Sequence, residues 1–145
     1  MSIDYVKRID ESIASIPPLS KWEKEDWYPD EAEYALNLIS DFLNERGIRA
    51  SKVYDSLHPH LPFIDIMTPR YKCCLGIGFD EEMDYLDIEN HEKKRPELVF
   101  WNGGENNPLL NSGDWDIYNV DDWKTAFKKV LKLDVKALLG ALDWK

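Results

Sequence analysis

The chain predicts an α+β fold: one domain, with N-terminal helices, an antiparallel sheet of about five strands, then C-terminal helices. Three observations carry this. Apolar residues recur every three or four positions up to Gly47, alternate with polar ones between Ile48 and Trp101, and return to helical spacing after Val120. The 145 residues suffice for one ordinary domain with a genuine core. An apolar content of 43%, with six Trp, seven Tyr and five Phe, excludes intrinsic disorder.

Ile3, Val6, Ile9, Ile13 and Ile16 mark one face of a first helix. Pro17-Pro18 must end it, because proline has no N–H to give and clashes with the preceding turn. A linker holding Trp22 and Trp27 leads to a second helix. Pro29 stands in its first-turn position, and Asp30 and Glu31 sit at the positive end of its dipole. Ala32, Ala35, Leu36, Ile39, Phe42 and Leu43 form its buried stripe, and Gly47 after Arg46 caps it.

From Ile48 the period is two. Residues 48–57, 62–68, 71–79, 84–89 and 97–101 read as strands, separated by His58-Pro59, Pro69, Asp80-Glu81-Glu82 and the polar segment 90–96. Short connections favour an antiparallel meander. In the third strand, Tyr71, Cys73, Leu75, Ile77 and Phe79 share one face, and Lys72, Cys74, Gly76 and Gly78 the other. A second face that small predicts either something packed close against it or a concave surface. Residues 102–119, with Asn102-Gly103-Gly104 and Asn106-Asn107-Pro108, read as a long irregular loop. Helix resumes near Val120. Asp121 and Asp122 lie in its first turn, Trp123, Ala126, Phe127, Val130 and Leu131 point inward, and Lys128, Lys129 and Lys132 lie toward its end. Asp134 caps a final short helix carrying Val135, Leu138, Leu139 and Leu142.

The formal net charge is −10, with the excess in the first two thirds of the chain. Seven acids fall between Asp80 and Glu92 with no base among them, laced with Met83, Tyr85, Leu86 and Ile88. Such a field disfavours nucleic acid and anionic membrane and speeds encounter with cationic proteins. The N-terminus carries Asp4, Lys7, Arg8, Asp10 and Glu11, unlike a signal peptide, and no apolar run reaches about 18 residues. A cytoplasmic location without a membrane span is therefore expected. Cys73 and Cys74 are adjacent, a pairing too strained for a ready disulfide, and read as two reduced thiols.

Motifs for chemistry are sparse, and no cofactor is expected. His58-Pro59-His60, near Asp55 and Asp65, has the residue types of a metal site but the prolines of a turn. Loops beginning at Asp80 and Asp114 lack the glycine and terminal glutamate of a calcium loop. Gly76-Ile77-Gly78 lacks the third glycine of a dinucleotide fingerprint. Cys74 is the more accessible thiol of the pair, yet an acidic strand interior is the wrong setting for a nucleophile.

The acid-aromatic pattern is stronger. If strands 84–89 and 97–101 pair, one face is apolar, with Leu86, Ile88, Leu98 and Phe100. The other combines Tyr85, Asp87, Glu89, Glu97 and Trp101, with Trp115 and Asp116 following in the long loop and Glu81 and Glu82 on the rim. Tyr and Trp beside carboxylates suit an interface that receives Arg and Lys. If helices cover this face as well, the aromatics are core.

Asp80 to Glu92, Glu97-Leu98-Val99-Phe100-Trp101 and Gly113-Asp114-Trp115-Asp116 give the chain a character that resembles the small acidic immunity proteins of bacterial polymorphic and contact-dependent toxin systems. The resemblance implies a cytoplasmic inhibitor that neutralises a cognate basic toxin, such as a nuclease, by direct binding. It assigns no individual residue. Two other classes stay open: a carbohydrate or small-ligand module using Trp22, Trp27, Trp101 or Trp115 for stacking, and a small enzyme built from scattered acids and histidines.

Overall fold

The computed structural model describes residues 5–18, 22, 28–55, 61–67, 72–78, 95–101 and 115–130. Helix α1, Tyr5–Ala14, buries Ile9 and Ile13 and stops ahead of Pro17. Helix α2, Asp30–Glu45, begins directly after Pro29 with three acids in its first turn. It ends in a Schellman motif. Gly47 takes φ 84°, its N–H donates to the Asn44 carbonyl at 3.1 Å, and the Ile48 N–H donates to the Leu43 carbonyl at 2.9 Å. The helices run antiparallel, with Ser12 opposite Glu31, Arg8 opposite Tyr34, and Tyr5 edge-on to Phe42 at 6.1 Å.

One antiparallel sheet follows: β1 (Arg49–Ala50), β2 (Tyr54–Asp55), β3 (Pro62–Met67), β4 (Lys72–Gly78), β5 (Glu97–Trp101) and β6 (Trp115–Asn119). The order is β1-β3-β4-β5-β6, with β2 beside β1 on the same edge of β3. The α+β reading therefore holds, while three strand expectations need correction. The strand expected over 48–57 is two short pieces. Between the pairs Ala50↔Ile66 and Tyr54↔Phe63, residues 51–53 oppose only residues 64 and 65, which is a bulge. There the Ser51 N–H donates to the Asp65 carbonyl at 2.9 Å, and the Ser51 hydroxyl accepts from the Asp65 N–H at 2.8 Å. A side-chain oxygen thus stands in for a backbone acceptor.

Second, strand 97–101 does not pair with 84–89. β5 has β4 on one edge and β6 on the other, so neither edge is left. Segment 84–89 itself lies outside the described residues, as does the final helix expected after Asp134. Third, β6 falls within the stretch read as loop. Position 117 is opposite Val99, and 115 is opposite Trp101.

A 3₁₀ turn, Val120–Asp122, leads into helix α3, Trp123–Val130. The Asn119 side chain caps the turn, its Oδ1 accepting from the Asp121 N–H at 2.8 Å. Helices α1, α2 and α3 pack on one face of the sheet, where Ile64, Ile66, Cys73, Leu75, Ile77, Leu98 and Phe100 are all buried. Phe127 meets Phe100 at 5.7 Å and Trp123 at 5.8 Å, both edge-on. Each large side chain so buried contributes about 2 kcal/mol from apolar transfer. Arg95 locks the corner. Its guanidinium donates to the Ile13 and Ile16 carbonyls at the end of α1, at 2.7 and 2.5 Å, and to the Asp121 carboxylate at 3.1 Å.

Candidate functional site

The face of the sheet away from the helices follows from register. Directly opposed residues share a face, so Met67 and position 72 form one row, and Asp65, Cys74, Trp101 and position 115 a second. Tyr54, Phe63, Gly76, Val99 and Ile117 form a third, and Gly78, Glu97 and Asn119 a fourth. Three of the large apolar side chains that stay exposed, Tyr54 (40%), Met67 (42%) and Ile117 (42%), fall on this face. Its middle is buried at Phe63, Cys74 and Val99.

The small residues of β4 now have a cause. A Cβ on Gly76 would stand 2.6 Å from the Phe63 ring, and one on Gly78 would stand 2.5 Å from Leu61 Cδ2. The side chains of Leu61 and Phe63 lie over the two glycines, so these positions must stay empty. Tyr54 stacks on Phe63 at 6.3 Å and 28°.

Next to that stack the Tyr54 hydroxyl donates to Asp65 Oδ1 at 2.8 Å and approaches Cys74 Sγ at 3.5 Å; the Cys74 thiol donates to the same carboxylate oxygen at 3.1 Å. Burial pushes the Tyr54 phenol upward, reinforced by Cys74 and Asp65. A nucleophilic thiol needs a positive neighbour. The neighbour here is a carboxylate that engages the S–H, in a side chain that is buried rather than accessible as the sequence implied. The cluster ties the short strand β2 to the sheet. Cys73 lies on the opposite face, with burial first, and then Cys74 and Asp65, pushing its thiol from 9.0 up to about 12. Because the two thiols sit on opposite faces they do not converge on a common ligand. Among the described residues no group of three or more His, Cys, Asp or Glu could hold a metal ion. His58 and His60 lie outside them.

Of the expected contact residues, the structure brings Glu97 and Trp101 onto this face, both half-buried, Trp101 packed in part against the core. Position 115 is the register partner of Trp101. Asp116 is a correction. It pairs with Phe100 and so belongs to the helix-side face, exposed, on the last strand of the sheet. It also helps raise Tyr118, on which burial acts first. Glu81, Glu82, Tyr85, Asp87 and Glu89 lie outside the described residues. Ile117, Tyr54 and Met67 were missed. The alternation at 115–119 pointed to Ile117, but the Gly-, Asn- and Pro-rich run before it masked the strand. Trp22, one of the proposed stacking platforms, is interior: it is buried, and its Nε1–H donates to the Pro17 carbonyl at 3.0 Å.

The β5–β6 end of this face therefore combines Glu97, Val99, Trp101 and Ile117. No helix among the described residues is long and apolar enough to cross a membrane. No protein-family model matches the chain, and comparison with curated proteins and with solved structures finds no match.

Proposed function

We propose that this protein is an acidic binding module of the immunity or inhibitor kind, which neutralises a cognate basic protein, such as a nuclease toxin, by covering its surface. The observation that carries the reading is the β5–β6 end of the sheet face away from the helices. There a half-buried Trp101 and an exposed Ile117 share a face with Glu97. Aromatic and aliphatic anchors beside a carboxylate suit a protein contact with Arg and Lys. The net charge of −10, and the acid run from Asp80 to Glu92, add long-range attraction for a basic partner.

Affinity purification from native cells tests this, with the wild type and with Ile117→Asp as baits. The expected result is a basic protein held by the wild type, released by salt, lost with Ile117→Asp, and inhibited in its own activity by the wild-type protein. A ligand held equally by both baits, or an acidic one, contradicts the reading.

A further inference from the structure

The two ends of the sheet are finished differently. At the β1 end, helix α2 supplies the missing neighbour. Asn44 takes both outward backbone groups of Ala50: its Oδ1 accepts from the N–H at 3.0 Å, and its Nδ2 donates to the carbonyl at 3.1 Å. The Ser40 hydroxyl donates to the Ser51 carbonyl at 2.7 Å. Outward backbone groups on a last strand are a template for another strand, and here side chains occupy them.

β6, at the other end of the strand order, has no such cover among the described residues. Its ladder shows which groups are left. The Val120 N–H donates to the Pro96 carbonyl at 3.2 Å, one step beyond the pair Glu97↔Asn119. Bonded and non-bonded pairs alternate along an antiparallel ladder. Asp116 and Tyr118 therefore bond to β5, and Ile117 and Asn119 turn both N–H and C=O away from it. Among the described residues nothing bonds those four groups. Residues 116, 117 and 119 are exposed, so the edge is accessible. Donor–acceptor sets repeating about every 7 Å along a line match an extended chain.

Charge selects the kind of chain. From Glu97 to Trp123 the sequence holds six acids and no Lys or Arg. Asp116 stands in the strand, and Asp121 and Asp122 follow in the 3₁₀ turn, all three exposed. A second copy would bring the same acids against these, whereas a cationic strand meets them with opposite charge.

We propose that the outer edge of β6 takes up an extended cationic segment of a protein partner as an added antiparallel strand. The incoming residue opposite Ile117 exchanges both backbone hydrogen bonds and presents an apolar side chain on the Ile117 face. The residues on either side of it fall on the face of Asp116, where Lys or Arg meets the carboxylate. The inference rests on the partner being basic, and it assigns the way that partner is held.

The test is NMR-detected amide hydrogen exchange with the peptide acetyl-Lys-Val-Lys-Val-Lys-Val-Lys-amide. Binding should slow exchange at the Ile117 and Asn119 amides and leave Tyr118, already bonded to β5, unchanged. N-methylation of the valines removes the N–H groups that face β6 and should weaken binding at least about tenfold. N-methylation of the inner lysines, whose N–H groups face away, should not. Ile117→Pro removes one outward N–H without touching a β5 bond and should also weaken binding about tenfold, while Ile117→Ala retains most of it. Asp116→Lys should weaken it about fivefold, the size of one exposed ion pair. Equal loss on methylating either set, or no protection at Ile117 and Asn119, overturns the proposal. Protection of those amides in the protein alone, through dimerisation, assigns the edge to a second copy and overturns it as well. The same measurement with the basic partner separates the two readings. Shifts at Glu97 and Trp101 without protection of the two amides remove only the edge, whereas protection without those shifts removes the sheet-face reading.

Discussion

Replacing Gly76 with alanine tests whether the sheet face away from the helices is built by Phe63 lying over β4. The new methyl would stand 2.6 Å from Phe63 Cε2 and Cζ and 2.8 Å from Cδ2. Carbon atoms are comfortable at about 3.5–4.0 Å, so the ring must retreat by roughly 1 Å. The ring is 6% exposed and stacked on Tyr54, so it has little room to move. Forcing a methyl into such a contact costs about 1–3 kcal/mol, offset by roughly 0.5–1 kcal/mol for replacing glycine inside a strand. The net loss is about 1–2 kcal/mol, or some 3–6 °C in Tm for a domain of this size. Thermal unfolding of Gly76→Ala, Phe63→Leu and the double variant measures it. The shorter leucine should accommodate the methyl, so the double variant should lose less than the two single losses combined, by about 1 kcal/mol. An unchanged Tm for Gly76→Ala, or single losses that add within about 0.5 kcal/mol, would refute the packing argument.

Other outcomes follow from the same geometry. Arg95→Ala removes the side-chain donor to the Ile16 carbonyl, leaves the Ile13 carbonyl with the Ile16 N–H, and should lower stability by about 1–3 kcal/mol in denaturant unfolding; Arg95→Lys, lacking the planar fork, should recover only part of it. Alkaline pH should destabilise the fold: the unfolded Cys73 thiol ionises near 9.0 and the folded one near 12, so its contribution is complete below pH 9 and is lost progressively up to 12. Tyr54 acts in the same direction above pH 10, and Cys73→Ala should flatten the earlier part of the decline in a pH series of unfolding curves. Trp101→Ala should both speed release of the partner, by roughly 2 kcal/mol in affinity, and lower Tm, since the side chain is packed in part against the core. A change in Tm alone would assign Trp101 to the core.

The helices were legible because their signals are local. The 29–46 stripe, the first-turn acids and Gly47 each act within a few residues, and all appear in α2 and its cap. The alternation of β4 was legible for the same reason, and the smallness of its second face foretold the Leu61 and Phe63 cover. What escaped depends on partners distant in sequence. Nothing near Lys52 announces a bulge, which exists because Ala50 and Tyr54 pair with Ile66 and Phe63 out of step by one residue. The placement of β6 beside β5 likewise sets which residues join Trp101. That brought Ile117 onto the candidate face and put Asp116 on the other. Trp22 reads as a loop aromatic until the Pro17 carbonyl meets its ring nitrogen.

The most direct measurement is the association rate of the purified basic partner as ionic strength rises, for the wild type, Glu97→Lys and Ile117→Asp. The account predicts a rate that falls steeply with salt in the wild type, is slower from the outset in Glu97→Lys, and is joined by faster dissociation in Ile117→Asp. Association indifferent to salt, with neither variant changed, would contradict the acidic β5–β6 face as the binding surface.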